Sequence, residues 1–325
     1  GAAELAQVLR KLTWRGTERL FNGEHQDDDA VVIQMPDGRV LASTVDVFTP
    51  VVDDPHTYGA IAAANSLSDL YAMGARPVFG LSILGYPPDL LGPDTAAGII
   101  QGAIDKSWEA GVVVAGGHTI KTSEVMFGLS VVGEVNPDEL MTKGGARPGD
   151  LLVLTKPLGI GLLTTAIKRG MLEKEEIDAV VLEMMTLNRT AAEIAVACKV
   201  RACTDVTGFG FLGHLSEMVR ASKLRAHVSA LAVPALGRSL ALATDGVIPG
   251  GSLANLEFSK GFAHFDPSVP YEKRVLLADA QTSGGLIVAV PPASYERFEE
   301  LCNQQEQTFQ LVGSFEKGEP GIDVS

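Results

Sequence analysis

The residues best suited to chemistry are aspartates in separated segments and the glycine-rich turns beside them. Thr204-Asp205-Val206-Thr207-Gly208-Phe209-Gly210-Phe211-Leu212-Gly213-His214 follows a short apolar run, Val200 to Cys203, and leads into an amphipathic stretch, Phe211 to Val219. An aspartate and a glycine turn therefore sit where a strand passes into a helix. Exposed amides at such a junction suit phosphate, and the carboxylate suits a divalent cation. Gly208, Gly210 and Gly213 also spell G-x-G-x-x-G. A dinucleotide site needs an acidic residue about 20 positions further on to hold the ribose, and Lys223 to Leu231 contains none. Alone, the glycines could equally serve a tight turn and close helix packing.

Four further segments bring acid or amide groups. Asp27-Asp28-Asp29 precede the first strand; adjacent carboxylates repel, so they favour either solvent or a cation. Asp46 ends a strand with Thr44 on the same face. Asn65 and Asp69 lie four apart on an otherwise apolar helix, one turn apart on one face. Asp69 reads either as a surface residue or as a partly buried one, and a buried carboxylate needs a partner or a metal. Gly116-Gly117-His118-Thr119 reads as a loop presenting amides, an imidazole and a hydroxyl, or as a purely structural turn. No G-x-x-x-x-G-K-[ST] phosphate loop and no Ser/His/Asp or Cys/His arrangement occurs, and His214 reads as a packing or capping residue. Scattered aspartates with glycine turns point to a nucleoside triphosphate held through Mg²⁺.

Composition agrees with such a site. The chain has 325 residues, 46% hydrophobic and 20% charged, with a net charge of −14. That length accommodates two domains, and the negative charge argues against nucleic acid or an anionic membrane as partner. An acidic protein that binds phosphates must neutralise charge locally, for which metal ions serve. The short, interrupted apolar runs exclude a transmembrane helix. Cys198, Cys203 and Cys302 cannot all pair and lack metal-ligand spacing, which suits a cytoplasmic location.

The elements that must position these groups alternate between strand and helix. Val31–Met35 and Arg39–Val45 flank Pro36-Asp37-Gly38 as a hairpin. Helices are expected over His56–Met73, Thr95–Ala110, Gly161–Arg169 and, as one long stretch, about Glu175–Lys199. Strands are expected at Phe79–Leu84, Val112–Ala115, Val125–Val135, Leu151–Thr155, Gly285–Val290 and Phe309–Phe315. Turn residues in Lys143–Asp150 mark a boundary, dividing the chain into 1–145 and 146–325. The fold class is α/β and α+β in two domains.

Several motifs resemble the selenophosphate synthetase (selenide, water dikinase) family, within the aminoimidazole ribonucleotide synthetase-like superfamily. The match runs nearly end to end. It includes Asp27-Asp28 with Ala30-Val31, Thr44-Val45-Asp46-Val47-Phe48, Ala64 to Gly74 and Ala115 to Thr119. More specific are Lys156-Pro157-Leu158-Gly159-Ile160-Gly161, Thr204 to Gly210, and Gln281-Thr282-Ser283-Gly284-Gly285. The resemblance implies an N-terminal domain that dimerises through its sheet and a C-terminal α+β domain. It implies conversion of ATP, selenide and water to selenophosphate, AMP and orthophosphate. It further implies that Asp28, Asp46, Asp69 and Asp205 bind Mg²⁺. Asp27, Asp46, Asn65 and Asp69 would border ATP, with Gly117, His118 and Thr119 reaching it from the other subunit of a homodimer. The family's nucleophilic Cys or Sec and essential Lys would lie before Gly1. No catalytic nucleophile is therefore expected in these residues, which should bind ATP yet make little selenophosphate. A non-catalytic or ATP-hydrolysing regulatory relative is the alternative. Cys203 reads as a buried strand cysteine, not a substitute thiol.

Overall fold

A computed structural model describes residues 8, 11–13, 19–21 and 28–325; Asp27 and the segment before Val8 lie outside the described residues. The first hairpin pairs β1 (Val31–Gln34) with β2 (Val40–Phe48), turning where Gly38 adopts φ +90°. Helix α1 (Pro55–Ala72) starts at Asp54, whose carboxylate accepts from the Thr57 amide at 2.7 Å. It is followed by β3 (Arg76–Tyr86), α2 (Pro93–Glu109), β4 (Val113–Lys121) and β5 (Met126–Glu134). The five strands order as β1-β2-β5-β3-β4, antiparallel except for the β3–β4 pair. Helices α1 and α2 cross closely because a Cβ on Gly59 would stand 1.8 Å from the Ile99 carbonyl oxygen. The opposite sheet face leaves Val45, Val47 and Leu81 exposed.

The second half begins with β6 (Leu151–Leu154), α3 (Ile160–Lys168), α4 (Lys174–Met185), α5 (Arg189–Ala197) and β7 (Ala202–Asp205). It continues with α6 (Gly210–Ser222), β8 (Arg225–Val228), α7 (Ser239–Thr244), α8 (Gly250–Ser259), β9 (Ala263–Phe265) and α9 (Tyr271–Ala278). The chain closes with β10 (Leu286–Val290), α10 (Tyr295–Gln304), β11 (Gln310–Glu316) and β12 (Gly321–Val324). Seven strands form a mixed sheet ordered β7-β10-β6-β11-β8-β12-β9. Two mixed sheets with segregated helices match the expected α/β and α+β class.

Helix α1 joins the halves. It is apolar on nearly every side, as expected of a helix enclosed by protein, and only His56, Thr57 and Asp69 along it escape near-complete burial together with Pro55. Its core residues pack with Val153, Leu286 and Val288 of the second sheet, while Ile61 packs with Ile160, Leu163 and Met184.

Two expectations need correction. The single helix over Glu175–Lys199 is two, α4 and α5, broken at Thr186-Leu187-Asn188. Continuous helical periodicity hid the break, which frees the Thr186 carbonyl and aims the Asn188 amide at α1. Gly116-Gly117-His118-Thr119 is no loop. It continues β4 as an edge strand, where Gly117 abuts Ser82 so closely that a Cβ would lie 2.1 Å from its carbonyl oxygen. Glycines had signalled a turn, but here they permit strand approach.

Candidate active site

Four acidic side chains from distant segments converge where α1 passes between the sheets. Asp46 on β2 accepts from Asn65 Nδ2 at 2.5 Å, and Asp69, one turn along α1 from Asn65, accepts from Thr44 Oγ1 at 2.5 Å. Strand alternation places Thr44 and Asp46 on the helix-facing side, as expected. Asp205, the last residue of β7, is 1% exposed. Asp29 completes the group. Its side chain accepts from Thr204 Oγ1 at 2.9 Å and pairs with Lys143 Nζ at 2.8 Å.

Their ionisation reports this crowding. Burial pushes the Asp69 carboxyl well up, and the charges of Asp205, Asp46 and Asp29 add to it. Burial and then Asp29 raise Asp205 to about 7, and burial raises Asp46 to about 6 against the pull of Asn65. Asp29 is also raised by burial despite Lys143. Asp29 Oδ2 and Asp205 Oδ2 are buried without a hydrogen-bond partner. Like charges held together with orphaned oxygens are a setting suited to a cation. An all-oxygen donor set fits a hard ion such as Mg²⁺ rather than zinc or copper. Among the described residues, no three His, Cys, Asp or Glu side chains suffice to hold an ion alone. A bound ion here would therefore complete its shell with ligand or water oxygens, as Mg²⁺ does.

Asp28 is half-buried at the margin, its Oδ1 accepting from the Lys143 amide at 2.9 Å. Its neighbour Asp29, read from the sequence only as one of three adjacent carboxylates and not among the expected Mg²⁺ ligands, faces the other carboxylates. Lys143 also pairs with Glu217 Oε2 at 2.8 Å. Burial would raise Glu217, but His214 and Lys143 outweigh it and hold the carboxyl at about 2. His214 is buried, as expected of a packing residue, with Nε2 3.1 Å from Thr207 Oγ1. Cys203 is buried with its thiol pushed well up by burial, which suits an inert strand cysteine.

Gly117, His118 and Thr119 stand apart from this group. Asp46, Leu129, Ser82 and Gly117 form one cross-strand row, so three strand spacings, about 14 Å, separate Gly117 from Asp46. Val47, Gly128, Ile83 and His118 form the next row. His118 therefore shares the exposed apolar face with Val47, not the face of Asp46.

A second buried network supports the first. Asn65 Oδ1 accepts from the Ser283 amide at 2.8 Å, and Asn188 Nδ2 bridges Ser68 Oγ (2.9 Å) and the Gly284 carbonyl (2.8 Å). Lys156 Nζ donates to the carbonyls of Thr186 (2.6 Å), Ser283 (2.9 Å) and Glu183 (3.1 Å). Gln281 Oε1 accepts from the Gly159 and Ile160 amides, and Asp279 Oδ2 from those of Gly161 and Leu162. Four amides at the start of α3 thus have protein partners. Lys156 and Gln281 lay inside motifs visible in the sequence, but nothing local revealed their partners. Asp279 gave no local signal.

Beside the carboxylates a cavity of about 370 Å³ opens between the halves, lined by Asp46, Asn65, Thr165, Lys168, Thr207 and Thr282 among others. Its size falls within the range of small-ligand sites.

Residues 27–135 match the family model for the AIR synthase related protein N-terminal domain, and residues 147–324 match that for its C-terminal domain. Fold and site thus define a two-domain AIR synthase related protein. The chain is 44% identical over 325 residues to selenide, water dikinase from Myxococcus xanthus, covering 99% of this chain and 92% of that protein. It is 45% identical to selenide, water dikinase from Carboxydothermus hydrogenoformans over 93% of this chain and 87% of that protein. The chain belongs to the selenide, water dikinase family. Solved structures share the fold at lower identity. A thiamine-monophosphate kinase from Stenotrophomonas maltophilia has a TM-score of 0.70 at 19% identity, covering 100% of this chain and 95% of that one. The hydrogenase maturation protein HypE in complex with ATP has a TM-score of 0.66 at 19% identity, covering 99% and 91%.

Proposed function

We propose that the chain serves ATP-dependent selenophosphate synthesis, in which ATP, selenide and water give selenophosphate, AMP and orthophosphate. The observation that carries this reading is the convergence of Asp29, Asp46, Asp69 and Asp205 beside an interdomain cavity, with two buried carboxylate oxygens unpartnered. Family membership supplies the substrate. Asp28, Asp46, Asp69 and Asp205 would hold Mg²⁺, which when bound neutralises polyphosphate charge that an acidic protein otherwise repels. Asn65 orients Asp46 and ties it to the Gln281–Gly285 segment, while Thr44 orients Asp69. Asp27 would border the nucleotide. We place the domain boundary at 145/146.

The protein would act as a homodimer. The exposed Val45, Val47 and Leu81 share one sheet face with His118, and contiguous exposed apolar surface of this kind marks an interface. Gly117, His118 and Thr119, too distant to serve their own chain's carboxylates, would then serve the second copy's nucleotide.

Calorimetry of ATP binding with and without Mg²⁺, alongside phosphorus NMR with ATP and selenide, tests this. Mg²⁺-dependent ATP binding is expected, and its absence sinks the proposal. ATP hydrolysis without any selenophosphate, even from a longer chain bearing the family's nucleophile and lysine, would assign the ATP-hydrolysing regulatory reading instead.

A further inference from the structure

The cavity between the halves is electrically polarised. Among the described residues lining it, Asp46 is the one carboxylate and Lys168 the one ammonium. Lys168 is exposed and has no ion-pair or hydrogen-bond partner among the described residues. Its helix explains its placement. Along α3, Gly161, Thr164, Thr165 and Lys168 fall at i, i+3, i+4 and i+7, one polar stripe on a helix whose Ile160, Leu162, Leu163 and Ala166 are buried. That stripe faces the cavity.

The first turn of α3 is joined through Gln281 and Ser283 to Asn65 and Asp46. Seven residues later, Lys168 stands about 10 Å along the helix axis. The amides of the first turn, the usual anion donors of a helix, are already taken by Gln281 and Asp279. The donors that α3 can offer an anion here are therefore its side chains. Thr164 and Thr207 hydroxyls are engaged by Ile160 O and His214. Those of Thr165 and Thr282, both half-buried, have no partner among the described residues.

We infer that Lys168 and Thr165, one turn apart on α3, form a phosphate subsite in the cavity, with Thr282, between Gln281 and Ser283, completing it on the side nearer Asp46. The inference rests on reading the cavity as the nucleotide site, because it asks what the ammonium end holds while cations serve the carboxylate end. The chemistry is that of a phosphate dianion, either free orthophosphate or the distal phosphates of the nucleotide.

The test is calorimetric titration of the wild-type chain, Lys168→Met, Lys168→Arg, Thr282→Val and Asp46→Asn. The titrants are inorganic phosphate without Mg²⁺ or nucleotide, then Mg²⁺-ATP, then Mg²⁺-AMP. Losing one charge-assisted contact should weaken phosphate roughly tenfold in Lys168→Met, with Lys168→Arg near wild type. Thr282→Val should lie between them, and Asp46→Asn should bind phosphate at least as well as wild type. If Lys168→Met instead weakens Mg²⁺-ATP but neither phosphate nor Mg²⁺-AMP, the subsite holds the nucleotide's own distal phosphates. Unchanged affinities for all three titrants in a variant with wild-type circular dichroism and melting temperature would overturn the subsite. Loss of Mg²⁺-ATP binding by the wild-type chain, with Lys168-dependent phosphate binding intact, would sink the nucleotide reading and leave the subsite standing.

Discussion

Asp279 and Asp205 are both buried carboxylates of the second half, at 0% and 1% exposure, yet their surroundings differ in kind. Asp279 accepts from two amides, from Ser252 Oγ at 2.7 Å and from Gln281 Nε2 at 3.0 Å. Burial lifts it to about 6 against the hydrogen bonds from Ser252, Leu162, Gln281 and Gly161, which pull it down. Asp205 is raised further, to about 7, by burial and then by Asp29, with one oxygen unpartnered. A carboxylate surrounded by donors holds a helix start in place. One surrounded by other carboxylates leaves the folded protein short of positive charge. The contrast is what marks Asp205, and not Asp279, as an acid proposed to bind a ligand.

The comparison can be broken most forcefully through ligand binding. Asp205→Asn and Asp69→Asn should each weaken Mg²⁺-dependent ATP binding by roughly 100-fold, equivalent to about 2.7 kcal/mol, while leaving the unliganded fold at least as stable. Calorimetry and thermal melts read both effects, and a destabilised fold with normal ATP binding would reverse the assignment. Asp279→Ala should do the opposite. Orphaning the α3 amides should cost about 2–4 kcal/mol in denaturant unfolding, with the Mg²⁺ requirement unchanged.

A subtler effect is the pH dependence of the unliganded protein. Asp46 and Asp205 keep their protons to about 6 and 7, above the ordinary 3.8. The folded state therefore binds more protons than the unfolded one between those values. Their stabilising contribution is complete below about pH 4 and is lost as pH rises through 6 to 7. Urea midpoints should register this loss, and Mg²⁺ should recover much of it near pH 8. An Asp205→Asn variant with the wild-type pH slope would contradict the clustering. The smallest change in stability should come from Leu81→Glu on the exposed sheet face. It should shift sedimentation from dimer to monomer while altering monomer stability by less than about 0.5 kcal/mol.

Much of the framework was legible in the residues. The hairpin about Pro36-Asp37-Gly38, the apolar α1 carrying Asn65 and Asp69, and Asp205 at a strand end follow from periodicity and turn chemistry. Those signals act over a few residues. The α4–α5 break escaped because helical periodicity runs through it, and the continuation of β4 beyond Ala115 escaped because glycine usually marks turns. Asp29 and Asp28 were indistinguishable as neighbours. Only the fold turns Asp29 toward Thr204 and Asp69 while Asp28 meets the Lys143 amide.

Asp205 and its glycine turn, Asp46 beside Thr44, and the four-residue spacing of Asn65 and Asp69 were fixed by the sequence alone. Which acids share a charge and which are satisfied was decided only by tertiary structure. Asp205, Asp69 and Asp29 are far apart in sequence, and desolvation and Coulomb repulsion depend on separation in space, not along the chain.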